Sequence, residues 1–342
     1  MTNNRSDYYT IAVDVMGGDF GPRVTIPATL SALERYPHLS VKLVGQSDVI
    51  SPYLQSVGGD LSCRIDVIHA DTTISMSEKP SHALRHGKSS SMYKALQLVS
   101  ENEAQACVSA GNTGALMALG RFVLRMLPGI DRPAIISSVP TAEGQCYLLD
   151  LGANIDCSAE HLLQFAIMGS VMTAAVDGIP EPKVGLLNIG QEEIKGNEQV
   201  KLASRLIEER GGLNYIGYVE GDGLYAGVAD VVVCDGFVGN IALKSSEGLA
   251  RLISSKFQAS FRQGWYRRFL ALLAKPVLLD LKQQLDPSRR NGASLLGLQG
   301  IVIKSHGSAN EGCFGFALDQ AVSEIVEDVP RKICDEIERK LA

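Results

Sequence analysis

The sequence predicts an α/β fold built on a mostly parallel sheet, and three observations carry that reading. Short apolar runs rich in Val, Ile and Leu alternate with amphipathic stretches from end to end. Most of the runs are apolar throughout, the pattern of strands covered on both faces. The stretches between them have room for the crossover helices that parallel neighbours require.

The strands are read at TIAVDV (10–15), VKLVG (41–45), RIDVIHA (64–70), ACVSA (106–110), AIISSV (134–139), CYLLDLG (146–152), KVGLLNI (183–189), NYIGYVE (214–220), ADVVVCDG (229–236) and GIVIKSH (300–306). Helical spacing of apolar residues marks 24–35, 92–103, 160–177, 196–210, 240–262 and 316–341. Gly21-Pro22 launches the first of these, since proline suits the first helical position, and the serines of GKSSS (87–91) supply an N-cap before Met92. No repeat or linker interrupts the series, so residues 1–342 are expected to form a single catalytic α/β unit, an expectation that two lobes around a cleft would also satisfy.

With 45% hydrophobic and 20% charged residues, the chain is neither disordered nor fibrous. A net charge of -6 argues against nucleic acid as the main partner. The seven cysteines form no C-x-x-C pair and their odd number is no disulfide framework, which fits a reducing cytosol. No apolar signal core opens the chain, and no run approaches the roughly 20 apolar residues of a membrane span. A cytoplasmic location is expected.

Polar glycine turns follow many of the strands: Asp14-x-x-Gly17-Gly18-Asp19, Ser109-x-Gly111-Asn112-Thr113-Gly114, Asp150-x-Gly152-x-Asn154, Asn188-x-Gly190, Asp235-Gly236 and His306-Gly307-Ser308. Any one of them reads equally as a tight turn or helix cap. Gathered on one edge of a parallel sheet, they predict a ligand crevice there.

Several known motifs fail. GDGLYAG (221–227) resembles a dinucleotide fingerprint, but the next strand follows too soon for the helix that would face the pyrophosphate. GKSSS lacks the earlier glycine of a Walker loop, because position 82 is His; Arg85, Lys88 and its hydroxyls remain candidates for meeting an anion. The six histidines are scattered, so no metal site is expected, and no G-x-S-x-G elbow occurs. The inventory favours catalysis by positioning and electrostatics, with no cofactor.

Residues 262–290 depart from the acidic average, with seven basic side chains (Arg262, Arg267, Arg268, Lys275, Lys282, Arg289, Arg290) against Asp280 and Asp286. Among them Trp265, Phe269, Leu272, Leu273 and Val277 recur at helical spacing, interrupted by Pro276. Three readings stay open: a helix lying in a membrane interface, a core or dimer-interface helix with solvated charges, and a dock for an acidic protein.

The sequence resembles the phosphate acyltransferases of bacterial phospholipid synthesis, the PlsX family, from about residue 10 to 335. The resemblance rests on DVMGGDFGP (14–22), SSM (90–92), SAGNTGAL (109–116), LDLGAN (149–154), VGLLNIGQEEIKGN (184–197), DVVVCDGFVGNIALK (230–244) and GASLLGLQGIVIKSHGSAN (292–310), all in family order. Asn291, where a glycine is usual, Val15 for a common alanine, and EGCFG after Asn310 depart from the pattern.

The resemblance implies a homodimer of α/β/α architecture with a cleft, similar in fold to phosphate acetyltransferases and isopropylmalate dehydrogenases. It implies transfer of a long-chain acyl group from acyl carrier protein to inorganic phosphate, giving acyl phosphate for phospholipid synthesis. It also implies peripheral membrane association and a membrane-embedded acyltransferase that consumes the product. By family position Lys195 and Asn240 are the catalytic pair, Lys195 to neutralise phosphate or oxyanion charge and Asn240 to donate an orienting hydrogen bond. Gly17, Gly18, Asp19, Ser109, Asn112, Thr113, Asn154 and His306 are expected to wall the phosphate and thioester pocket. Asp14 and Asp19, which would repel phosphate, are expected to orient donors such as Lys195 or to brace their loop. Arg85, Lys88, Trp265, Arg267, Arg268, Leu272, Leu273, Lys275 and Lys282 are expected to meet the acidic carrier protein or the membrane. The competing functions are a short-chain acyltransferase using coenzyme A and a membrane scaffold without turnover. The cationic apolar segment disfavours the first, and the presence of Lys195 and Asn240 the second.

Overall fold

The computed structural model describes residues 8–142, 144–262, 266, 269, 272–276 and 291–341. In chain order the first half comprises β1 (Tyr9–Asp14), α1 (Pro22–Arg35), β2 (Leu39–Gly45), α2 (Ser47–Leu54), β3 (Ile65–His69), α3 (Pro80–His86), α4 (Ser91–Ser100), β4 (Ala106–Ser109) and α5 (Thr113–Leu124). There follow β5 (Ala134–Thr141), β6 (Gly144–Leu149), α6 (Ala159–Asp177), β7 (Lys183–Leu187), α7 (Glu198–Arg210), β8 (Asn214–Val219), α8 (Gly223–Ala226), β9 (Val231–Val233) and α9 (Gly236–Arg262). After the basic segment come β10 (Ala293–Leu296), β11 (Ile301–Lys304), α10 (Glu311–Glu327) and α11 (Val329–Leu341).

Among the described residues, one 11-stranded sheet carries every strand, in the order β3-β2-β1-β4-β11-β10-β5-β6-β9-β7-β8. Successive residues of a strand face opposite layers, so both sides are apolar. Val231 and Val233 belong to the core under α6, α7 and α11, whereas Val232 belongs to the opposite core with Leu96 of α4 and Leu116 of α5. A third cluster packs Phe314 and Leu318 of α10 with Ile26 and Leu33 of α1 onto β1, β2 and β4. The result is an α/β/α sandwich. Helix α6 is long and apolar enough to span a bilayer, but 61% of its apolar window is buried in this core.

The ten expected strands are present, with ends moved by a few residues, and an eleventh is added. Ala293–Leu296 has no β-branched residue and only four positions, too little pattern to stand out. Helix α5 contains Gly114 and Gly120, and its start reads as one of the glycine turns. The expected helix 316–341 is two, because Asp328 takes a left-handed conformation (φ 51°) between α10 and α11.

That short extra strand changes the site. β10 runs antiparallel to both β11 and β5, and β5 runs antiparallel to β6. Three consecutive reversals leave β1, β2, β3, β4 and β11 pointing one way and β6, β7, β8 and β9 the other. The glycine turns therefore do not share an edge. Asp14, Ser109 and His306 follow strands that end on one edge; Asp150, Asn188 and Asp235 follow strands that end on the opposite edge.

Candidate active site

The edge at β1, β4 and β11 is a set of interlocked turns. Asp14, 1% exposed, accepts a 2.7 Å hydrogen bond from Ser109 Oγ, which in turn accepts from the Gly111 amide at 3.1 Å. A Cβ at Gly17 would lie 2.7 Å from Gly111 N and 2.8 Å from Asp14 Oδ2, so glycine is what allows these turns to touch. Gly18 likewise approaches Ala110 and Gly307, where an added Cβ would lie 2.9 Å from each. Asp19 donates its amide to Gly307 O at 2.8 Å, which ties the β1 turn to the β11 turn.

Lys304, 8% exposed at the end of β11, donates to Ala110 O and to Ser305 O. Burial lowers its pKa to about 8, against the pull of Asp14 and Asp19. Burial likewise raises the pKa of Asp14, opposed by the hydrogen bond from Ser109 and by the Lys304 charge. Asp14 thus braces its loop through Ser109, while Lys195 pairs with Glu192. His306 Nδ1 accepts from the Ser308 amide at 3.2 Å, which places the ring proton on Nε2 as a donor. Burial and the charges of Lys244 and Lys304 lower its pKa. Asn291 accepts the His306 amide at 2.8 Å and donates to Ser305 Oγ and Cys313 O, three bonds that the usual family glycine lacks.

The Asn112 side chain is engaged by its own turn and by the loop before α3. Its Oδ1 caps α5 at Ala115 N, and its Nδ2 is shared among the carbonyls of Ser75, Met76 and Glu78. Thr113 is exposed in the first turn of α5.

On the opposite edge Asp150, fully buried after β6, gathers the amides of Ile135, Gly152, Ala153 and Asn154 and the Asn154 side chain. Burial raises its pKa, opposed by the amides of Ile135, Ala153 and Asn154 and by the Asn154 side chain. Asn154 Nδ2 also holds Pro133 O at 2.7 Å, so it too braces its turn. Lys195 and Asn240 follow β7 and β9, which are neighbours in the sheet. Both are exposed, and Asn240 stands in α9 over Gly152, where an added Cβ would lie 3.6 Å from Asn240 Cβ.

The Lys195 ammonium pairs with Glu192 Oε2 at 3.0 Å, and its stem lies across Gly190. A Cβ at Gly190 would strike Lys195 Cδ and approach Glu192 Oε2 to 2.7 Å. Gly190→Ala should therefore displace the lysine and cut kcat about tenfold or more while leaving the melting temperature near the wild type. Steady-state kinetics beside a thermal melt checks this, and unchanged kcat would refute the placement.

Helix α9 joins the two edges. It is capped by Asp235, which accepts from Val238 N at 2.9 Å, and it carries Asn240 and, one turn on, Lys244. The Lys244 charge acts on Lys304 and His306, so a helix that starts beside Gly152 reaches the other set of turns. Lys244 and Lys304 are absent from the sequence-based site. Lys304 closes an apolar run that reads simply as strand, and Lys244 lies on an ordinary amphipathic helix; their convergence exists only in the folded chain. A cavity of about 220 Å³ lies between Tyr147, Asp177, Phe316 and Gln320 and reaches Asn291, whose side chain holds the His306 amide. Of the proposed docking residues, Arg85, Lys88, Leu272, Leu273 and Lys275 are exposed, while Trp265, Arg267, Arg268 and Lys282 lie outside the described residues.

The fold is shared with solved enzymes of low sequence identity. A phosphotransacetylase from Streptococcus pyogenes aligns over 94% of this chain and 95% of its own, with a TM-score of 0.61 at 18% identity. A 4-hydroxythreonine-4-phosphate dehydrogenase from Klebsiella pneumoniae aligns over 92% and 98%, with a TM-score of 0.53 at 13% identity. The fold is thus that of the phosphotransacetylases and their dehydrogenase-like relations. Closer in sequence are the phosphate acyltransferases of Alkalilimnicola ehrlichii, 56% identical over 97% of both chains, and Ectopseudomonas mendocina, 55% identical over 96% of this chain and 97% of its own. The protein is an acyltransferase. It belongs to the fatty acid synthesis protein family, whose model matches residues 9–332.

Proposed function

We propose that this chain transfers a long-chain acyl group from acyl carrier protein to inorganic phosphate, producing acyl phosphate for phospholipid synthesis. The observation that carries the reading is 56% identity to a phosphate acyltransferase over 97% of the chain, with Lys195 and Asn240 placed at adjacent strand ends. A phosphate oxygen attacks the thioester carbonyl, the C–S bond breaks, and the carrier's thiolate departs. Phosphate is already an anionic nucleophile, so the protein has only to hold it, offset its charge and stabilise the oxyanion. Lys195 supplies charge and Asn240 a donor; His306 Nε2–H, from the other set of turns, and Lys244 of α9 offer a further donor and a further charge.

The working form is a homodimer in the cytoplasm that touches the membrane and delivers its product to a membrane-embedded acyltransferase. Support comes from uncovered apolar side chains along α9, Leu249, Leu252, Ile253 and Phe257, and beyond it from Tyr266, Phe269, Leu272 and Leu273, the last two 66% and 65% exposed.

The test is direct. Purified protein mixed with long-chain acyl carrier protein and phosphate should release acyl phosphate; no product, or equal turnover by the Lys195→Ala, Asn240→Ala double variant, refutes the mechanism. For the membrane, Leu272→Glu with Leu273→Glu should abolish sedimentation with anionic liposomes, and undiminished binding rejects the segment as an anchor.

A further inference from the structure

We infer that α3 and the turn after it form the docking surface for the acidic acyl carrier, an inference that rests on the proposed donor. From Glu78 to Lys88 the chain presents Lys79, His82, Arg85, His86 and Lys88, all exposed, against the single carboxylate of Glu78. Glu78 is engaged by His82 at 2.8 Å, and the His82 and His86 rings lie 4.6 Å apart on the same helix face. The three lysine and arginine charges remain directed to solvent.

The patch is fixed to the turns on the β1, β4 and β11 edge. Asn112 holds the carbonyls of Ser75, Met76 and Glu78, the residues that lead into α3. Pro80 at the start of α3 packs on Gly114, where an added Cβ would lie 3.0 Å from its ring. Met76 lies over Gly307 in the His306 turn, with its methyl 2.7 Å from the position of an added Cβ. A protein seated on α3 would therefore hold its thioester arm beside the edge that carries Ser109, Lys304 and His306.

Charge and shape select the partner. An acidic protein surface is complementary to this patch and would be steered to it at low salt. A lipid surface is not, because binding in a membrane interface needs an apolar face. The apolar side chains of α3, Ala83 and Leu84, are buried or half-buried, and the exposed ones are polar or charged apart from Pro80.

The experiment compares two donors, acyl carrier protein and a small acyl thioester of N-acetylcysteamine, in the full-length protein. Arg85→Glu with Lys88→Glu should raise KM for the carrier about tenfold or more and flatten its salt dependence, with kcat/KM for the small thioester held within about twofold. The milder Arg85→Gln, Lys88→Gln pair should give an intermediate rise and guards against misfolding. Equal losses with both donors, or no change with the carrier, overturn the inference. So does a drop in binding to anionic phosphatidylglycerol vesicles with carrier kinetics intact, which would assign the patch to lipid. A wild-type protein that uses the small thioester but never the carrier refutes the proposed donor itself, a result separable from the variant data.

Discussion

Lys195→Ala is expected to lower kcat for acyl phosphate formation roughly a hundred- to a thousandfold, the usual cost of removing one donor to a developing oxyanion. The fold should be untouched. Lys195 is exposed, it follows β7 in a turn, and its ammonium pairs with the exposed Glu192, a kind of ion pair that adds little stability. Circular dichroism and the melting temperature should match the wild type while turnover collapses. Asn240→Ala should act in the same direction, and the double variant should lose less than the product of the two if both groups serve one transition state. A fall in kcat below about tenfold for Lys195→Ala would leave the lysine as a binding residue.

The second large effect concerns stability and lies away from the chemistry. Glu324 in α10 is 2% exposed, accepts from Ser294 and from Gln320 at 2.8 Å, and has its pKa pushed up to about 7 by burial. Between its ordinary value near 4.5 and about 7, the native state holds a proton that the unfolded chain has released. Stability therefore falls as pH rises through that window, and above pH 7 the folded protein carries a buried carboxylate. Glu324→Gln keeps the shape and stays neutral. It should match the wild type near pH 4.5 and exceed it at pH 8 by about 2–3 kcal/mol. Denaturant unfolding at the two pH values measures the difference; parallel curves would show that Glu324 is not the group that titrates.

The α/β class was legible because strands covered on both faces must be apolar at nearly every position, and runs such as VVV at 231–233 leave no other period. Strand direction was not legible. It turns on β10, four residues without β-branching, and on a hairpin between β5 and β6 whose strands read like any others. Two parallel groups of opposite sense therefore looked like one.

Polar turn residues carried a similar ambiguity. Asn112 and Asn154 have the composition of ligand-binding turns, yet their amides are taken up by backbone carbonyls, Asp150 and a helix cap. An asparagine that braces and one that binds are identical in sequence; only the census of partners separates them. Lys304 shows the converse, since a lysine after Ile-Val-Ile reads as the polar end of a strand, whereas the fold seals it between carbonyls.

Helix α9 holds Asn240 and Lys244 one turn apart on a single rod whose first turn is pinned beside Gly152. Neither side chain can be repositioned by bending loops, because both ride on the same axis. A tilt or slide of that rod would move the donor at one edge and the cation facing the other in concert. The apolar length beyond Lys244, from Leu249 to Phe257, is then the handle of a lever. A partner that gripped it would move Asn240 and Lys244 together.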